Sequence, residues 1–241
     1  VRVGHVEAGL RTWNKYHPYP EEINRVITDA LCELHFAPTE KARDNLLRSG
    51  IGPGSIFVTG NTVIDALLAT VEKEYNPVSG PLRTIAFDKK VLLVTAHRRE
   101  NFGPPLENIC QALLDIAHRY PSQVHIVYPV HLNPNVQETV YARLNGVDNI
   151  SLLPPLDYLP FVHLMSKSYL VLTDSGGLQE EAPGLGVPVL VLREVTERPE
   201  AVEAGTVKVV GTDRETIVRE TILLLEDRNE YERMARAVNP Y

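Results

Sequence analysis

The sequence predicts a doubly wound α/β protein, with parallel sheet covered by helices on both faces. Three observations carry this. Short β-branched runs recur along the chain: SIFVTG (55–60), KVLLVTAH (90–97), VHIVYPVH (124–131), YLVLTDSG (169–176), VPVLVLRE (187–194) and TVKVVGTD (206–213). Several are apolar without alternation, as strands buried on both faces are. Stretches of helical period separate them, and that alternation belongs to βαβ units rather than hairpins.

Taken from the start, VRVGHV reads as a strand already under way at residue 1. Residues 20–34 read as a helix, with Pro20 at the first helical position and Glu21 and Glu22 in the first turn, where acids are favoured. Ile23, Val26, Ile27, Ala30, Leu31 and Leu34 fall at the spacing of one helical face and define its expected buried side. CELHFAP is a further strand candidate, followed by a helix over 39–49. The segment NPVSGPLRTIAFDKK, with two prolines and a glycine, breaks the rhythm and reads as a linker. The expected organisation is therefore residues 1–75 as the C-terminal half of a first α/β domain and 76–90 as a linker. A second α/β domain follows over 91–225, then a C-terminal helix over 226–241 that returns toward the first domain.

Composition narrows the function classes. The chain has 241 residues, 44% hydrophobic and 23% charged, which suits a globular protein with a real core. A net charge of −7 argues against a general nucleic-acid or membrane-surface binder, though not against a local basic pocket. Cys32 and Cys110 resemble neither a disulfide framework nor a metal site. No apolar run is long enough to span a bilayer and no signal peptide is visible, so the cytoplasm is the expected location.

In open parallel sheets, ligands bind beyond the carboxyl ends of the strands. The unusual polar residues collect there: Glu7, His97, His131, Ser175 with Gly176 and Gly177, then Arg193 and Arg198. TDSGGLQEEAPGLG (173–186) reads as a strand, a small-residue turn and a helix. Gly176 and Gly177 let the backbone approach a ligand, and the first free helical N–H groups suit phosphate. An ordinary N-cap by Asp174 or Ser175 fits the pattern equally well. The turn is neither a nucleophile elbow nor a P-loop. In HRREN (97–101), His97 is a candidate phosphate donor. Arg98, Arg99 and Glu100 taken singly read better as a solvated basic turn. His131 is either a cap or a ligand contact. Glu21 and Arg25, four apart, lie almost opposite the apolar helical face and form either a surface ion pair or part of a cleft. The loop that joins them to Glu7 raises the cleft reading.

HVEAGLRT, PEEINR, HFAPTE, VTGNTVIDAL, TAHRREN, DYLPF, TDSGGLQEEAP and ERPEAV, in that order, resemble the non-hydrolysing UDP-N-acetylglucosamine 2-epimerases through essentially the whole chain. The resemblance implies glycosyltransferase-B architecture, two Rossmann-like domains with the active site in the cleft between them. It implies interconversion of UDP-GlcNAc and UDP-ManNAc by elimination and re-addition of UDP through 2-acetamidoglucal, with no cofactor and no metal. Carried across by motif, Glu7 and Glu21 match the family's acid/base carboxylates, Arg25 the arginine of the same helix, and His97 the histidine near the diphosphate. Ser175, Gly176, Gly177 and Glu181 match the UDP site, with Glu181 on the ribose hydroxyls. Phe161 matches a residue beside uracil and Arg198 a further nucleotide contact. Glu22 and His131 are candidates for contact with a second UDP-GlcNAc, which some members bind as an activator. A homodimer is expected, as is a role in cell-surface polysaccharide synthesis.

Two departures stand out. Leu156 replaces a glutamine found in some members, which removes a side-chain hydrogen bond to uracil. The family's Gly-rich phosphate loop and HGDTT-type aspartate have no counterpart in the sequence and would lie before Val1. A hydrolysing relative, a glycosyltransferase of the same architecture and a non-catalytic nucleotide-sugar module are the competing readings. The carboxylates disfavour the last. With so few strands before the linker, the first domain is expected as the second half of a sheet. Its helices at 20–34 and 39–49 should have too little sheet to cover their apolar faces. Alone, the 241 residues should be poorly soluble and inactive.

Overall fold

The computed structural model describes residues 1–16, 19–77 and 80–241. The chain divides into two units, residues 1–66 with 240–241, and residues 67–239. The boundary between Ala66 and Leu67 falls inside a helix.

In the first unit the elements run β1 (Gly4–Val6), α1 (Glu21–Leu31), β2 (Leu34–Ala37), α2 (Glu40–Arg48), β3 (Ile56–Val58) and α3 (Thr62–Val71), which crosses the boundary. The three strands are parallel in the order β1-β2-β3, with His5 opposite His35 and His35 opposite Ile56. Thr39 caps α2 by accepting from Ala42 N at 3.0 Å, and Ala42 and Leu46 pack with Ala8, Ala37 and Ile56 in a small core. The expectation that α2 lacks cover for its apolar side is therefore corrected.

Helix α1 departs from its amphipathic reading. It ends at Leu31, and Leu34 opens β2 instead of continuing the helix. Pro20 is its N-cap residue, one position earlier than its sequence suggests. Val26, Ile27 and Leu31 are 51%, 53% and 71% exposed, while Glu22 and Asp29 are buried. The reason is polar docking. Asp29 takes His5 Nδ1 at 2.5 Å and the Arg11 guanidinium, and Glu22 takes the backbone N–H groups of Thr12 and Trp13 at 3.0 Å each. Together these hydrogen bonds hold the carboxylate face of α1 to β1 and the loop after it, and its apolar face stays largely exposed.

The second unit carries β4 (Lys90–Thr95), α4 (Pro104–Arg119), β5 (Val124–Pro129), α5 (Pro134–Leu144), β6 (Ile150–Leu153), α6 (Tyr158–Ser166), β7 (Leu170–Thr173), α7 (Leu178–Gly184), β8 (Val189–Val191), α8 (Pro199–Ala204), β9 (Val207–Val209), α9 (Arg214–Glu226) and α10 (Arg228–Ala235). Its sheet is all parallel in the order β6-β5-β4-β7-β8-β9. Successive crossovers run one way from β4 to β6, then return to β7 on the other side of β4, so β4 and β7 flank a topological switch point. Val91 to Val94 are buried, and Leu106, Ile109, Cys110, Leu113 and Ile116 of α4 form the facing ridge. Burial pushes the Cys110 thiol up to about 12, which leaves it an inert core residue.

In the segment read as a linker, Leu82 and Ile85 are buried, and Ala86 N donates to His125 Nδ1 at 3.3 Å. Val78 and Ser79 of that segment lie outside the described residues. The C-terminal residues form two helices with their junction at Asp227, and Tyr231 of α10 stacks on Tyr169 at 4.1 Å. Strand β6 is an edge strand that the sequence reading missed, because Ser151 interrupts a four-residue apolar run.

Gly9, in the turn after β1, has φ +86°, and a β-carbon there would stand 2.1 Å from the Ala42 carbonyl oxygen. Gly9→Ala is expected to cost more than about 2 kcal/mol, from the left-handed backbone and the clash together. Urea unfolding followed by Trp13 fluorescence measures it, and an unshifted midpoint would refute the close approach of α2 to this turn.

Candidate active site

The switch point brings two loops together. Residues 96–103 follow β4 and residues 174–177 follow β7. The strand ends are joined by a hydrogen bond of 2.6 Å between the Thr95 and Thr173 hydroxyls, and Asp174 N donates to Thr95 O at 3.1 Å. Asp174 then takes over. Its buried Oδ2 accepts from His97 N and Arg98 N at 2.8 Å each and from Asn101 Nδ2 at 3.0 Å. Its Oδ1 is buried, has no hydrogen-bond partner among the described residues, and stands 3.7 Å from His97 Nδ1. Asp174 therefore anchors the loop after β4 and is not the cap of α7, which begins with no side-chain cap. From below, the buried Tyr128 hydroxyl donates to Ala96 O at 2.6 Å.

A cavity of roughly 270 Å³ opens at these strand ends, lined by Thr95, His97, Pro129, His131, Pro155, Leu156, Phe161, Ser175 and Leu178. His97 and His131 stack with centroids 5.0 Å apart and planes within 9°. Burial pushes the His97 imidazole below its ordinary value; Asp174 opposes this, and His131 and Arg98 add to it. The N–H groups of Gly176, Gly177 and Leu178 donate to no backbone carbonyl among the described residues. A larger depression of about 600 Å³ lies between α4 and α9 around the Arg214–Asp115 ion pair. It adjoins the late part of α4, which runs back from the strand ends that hold the polar groups.

Beside the cavity, Tyr158 hydrogen-bonds Glu181. Burial, reinforced by the adjacent Glu180 carboxylate, lifts Glu181 to about 7 despite that hydrogen bond. Under the turn lies a buried ion network. Arg198 Nε donates to Glu180, Arg198 Nη1 stands 3.5 Å from Glu197 Oε2, and Arg193 Nη1 stands 3.4 Å from Glu197 Oε1. Arg193 Nε also donates to Glu100 at 2.6 Å. A β-carbon on Gly176 would meet Glu197 Oε2 at 3.5 Å and the Arg198 guanidinium at 3.7 Å, so this turn rests directly on the network.

In the first unit Glu7 immediately follows β1, is exposed and has φ +65°, a left-handed conformation that costs a non-glycine residue about 1–2 kcal/mol. Glu21 is exposed at the start of α1, and Arg25 lies one turn on, its Nη1 buried with no hydrogen-bond partner among the described residues.

The sequence model of one family, described as UDP-N-acetylglucosamine 2-epimerase, matches residues 1–241. The chain belongs to the UDP-N-acetylglucosamine 2-epimerase family. An Escherichia coli K12 protein of that name is 56% identical over 247 residues, covering all of this chain and 65% of its own length. The Neisseria meningitidis UDP-GlcNAc 2-epimerase bound to UDP-GlcNAc has a TM-score of 0.95 at 50% identity, over all of this chain and 66% of that one. The S. aureus MnaA–UDP co-structure gives 0.93 at 48%, over all of this chain and 65% of that one. The chain thus spans a little under two thirds of these relatives.

Of the residues that the epimerase motifs single out, His97, His131, Phe161 and Ser175 share the cavity lining, and Leu156 lines it too. Gly176 and Gly177 form the adjoining turn, and Glu181 stands beside Tyr158. Arg198 lies beneath the turn, 4% exposed, with its guanidinium among carboxylates. Glu22 is buried and spends both oxygens on Thr12 and Trp13. The sequence reading missed Asp174 as an anchor, and Glu180, Glu197 and Arg193 as the network. The available signal was charge at strand ends, four ionisable residues within EVTERPE (194–200), but nothing in it shows which ones are buried.

Two outcomes follow for this chain. Arg198→Met strips a buried carboxylate of its donor and should lower the second unit's unfolding free energy by roughly 3–5 kcal/mol, with part regained on adding Glu180→Gln. Denaturant titration checks this, and an unaltered midpoint would show the pair is not buried. Glu181 lies at about 7 in the fold against an ordinary 4.5, so the folded chain binds its proton more tightly than the unfolded chain. Its contribution is fully present below the ordinary value and is lost as pH rises toward about 7. The melting temperature of the wild type relative to Glu181→Gln should therefore fall across that window and level off above it. A pH-independent difference would place Glu181 in ordinary solvent.

Proposed function

We propose that the protein carrying this chain interconverts UDP-GlcNAc and UDP-ManNAc by inversion at C2. The observation that carries the reading is the switch-point cavity, where His97, Ser175 and the Gly176–Gly177 turn offer donors beside the aromatic ring of Phe161. That is the donor set a nucleoside diphosphate needs: N–H groups for phosphate oxygens and a flat apolar face for a base. A relative named for UDP-GlcNAc and bound to that compound, and another bound to UDP, support the same choice.

On this reading, His97 and the turn hold the diphosphate, Phe161 borders the uracil and Glu181 meets the ribose hydroxyls. Arg198 serves the nucleotide from beneath, by fixing the turn. With Leu156 in place of glutamine, recognition of the base falls to apolar contact and backbone. His131, stacked on His97, is the candidate for touching a second UDP-GlcNAc, while Glu22 holds the turn at residues 12–13.

The chemistry then follows from the substrate. The C2 hydrogen of UDP-GlcNAc has no carbonyl beside it, so its loss needs departure of the anomeric oxygen. UDP leaves with the C1–O electron pair, a carboxylate takes the C2 proton, and the C2–H pair becomes the C1–C2 double bond of 2-acetamidoglucal. Re-addition of UDP with protonation on the opposite face gives UDP-ManNAc. The route is redox-neutral and consumes no water. Glu7 and Glu21 are the proposed acid/base pair, and both stabilise the positive charge that develops at C1. The left-handed backbone at Glu7 fits a side chain held for function at the expense of local comfort. Arg25, on the helix of Glu21, has a guanidinium nitrogen available for the departing anion.

The test uses the protein at the full length of its relatives, incubated with UDP-GlcNAc in D2O. Deuterium at C2 of recovered UDP-sugars is expected. Free ManNAc instead would establish a hydrolysing enzyme, and absence of exchange would remove the elimination route. Glu7→Gln and Glu21→Gln should each lower turnover by at least about a hundredfold while UDP affinity stays within a few-fold. Full turnover with earlier melting would make either residue a structural ion-pair partner.

A further inference from the structure

Asp174 carries one oxygen that the fold does not use. Oδ2 is saturated by three donors from the loop after β4, so the loop needs nothing more from this residue. Oδ1 is just as buried, yet no described residue donates to it. Leaving a buried carboxylate oxygen without a donor is costly, and such orphans mark places where a partner arrives. The nearest candidate donor is His97 Nδ1 at 3.7 Å, and His97 is one of the residues that line the cavity. Closing that gap by roughly 0.8–1 Å would make a charge-assisted hydrogen bond.

We propose that Asp174 is the positioning residue of His97: when a nucleotide diphosphate binds, Oδ1 accepts Nδ1–H and holds the ring as an imidazolium, with Nε2–H on the anion. The inference rests on the nucleotide site argued above. Its logic is that of a ring caught between two acceptors. If Nδ1–H points at Asp174, a neutral ring presents only a lone pair to phosphate, which repels it. Only the doubly protonated ring serves both neighbours.

The surroundings make this conditional on ligand. The groups facing His97 are Arg98 from its own loop, His131 from the loop after β5 and Asp174 from the loop after β7. Burial, His131 and Arg98 all favour the neutral ring, and Asp174 alone opposes them. These protein groups by themselves therefore weigh toward the neutral ring. A bound dianion adds a second negative neighbour and draws one proton from solvent to Nε2.

Asp174→Asn separates this role from loop anchoring. The amide oxygen can keep all three donors of Oδ2, while the amide NH2 replaces Oδ1 and offers His97 Nδ1 a donor. His97 would then bind as the neutral Nε2–H tautomer. The experiment is nitrogen NMR of the full chain labelled at histidine, titrated with UDP near neutral pH, with the His97 signals identified as those missing from His97→Gln. In the wild type, UDP should bring both His97 ring nitrogens to the protonated type. In Asp174→Asn only one should be protonated, UDP affinity should fall about tenfold, and the weakening of affinity with rising pH should be lost, with the melting temperature held within a few degrees. A neutral His97 ring in the UDP-saturated wild type overturns the proposal. So does an Asp174→Asn chain that matches the wild type in affinity and pH profile. If that variant does not fold, the wild-type spectrum decides alone. A wild type that binds no UDP at all overturns the nucleotide site itself, a result recognisable because no signal moves.

Discussion

The second unit's site depends on one carboxylate oxygen. Asp174 Oδ2 gathers His97 N, Arg98 N and Asn101 Nδ2, and by doing so ties the loop after β7 to the loop after β4. These loops are neighbours only because the sheet order reverses between β4 and β7. The reversal opens a crevice, and the carboxylate gives its two walls a fixed spacing. His97 follows from one wall and Ser175 from the other. The chemistry of the loops is therefore set by strand order first and by a single buried anion second.

The first unit is organised on different terms. Its small core involves α2 and the sheet, whereas α1 is held by Asp29 and Glu22 to the loop that follows β1. That loop begins with Glu7, and α1 begins with Glu21. The two candidate acids thus flank a segment that is held to α1 by polar hydrogen bonds. Hydrogen bonds are directional in a way apolar contact is not, which suits the acid/base pair we propose there.

Much of this was legible in the sequence. Apolar strand runs revealed the parallel sheet, and the clustering of His97, His131 and Ser175 after such runs located the cavity. What escaped was whatever depended on three-dimensional competition. Residues 23–31 carry an apolar stripe, and the stripe correctly marks a helix, but burial went to the opposite face because Asp29 found His5 and Arg11. Ser151 hid β6. Arg198 is a nucleotide contact only through its resemblance to the family's motif, and the motif does not show that Glu180 and Glu197 surround its guanidinium. Periodicity reports which residues share a face, and it is silent on which partner wins that face.

The ion network under the Gly176 turn has an evolutionary consequence. Arg193, Arg198, Glu100, Glu180 and Glu197 join the loop after β4, helix α7 and the loop after β8 through shared charges. Removing any one member leaves a buried charge with a missing counterpart, while exchanging two together can leave the balance intact. Substitutions at these positions should therefore be epistatic, the effect of each depending on whether its counterpart has also changed. The floor of the site should be rebuilt only in steps that conserve charge, a constraint that the apolar cavity wall beside it, with Leu156 and Phe161, does not carry.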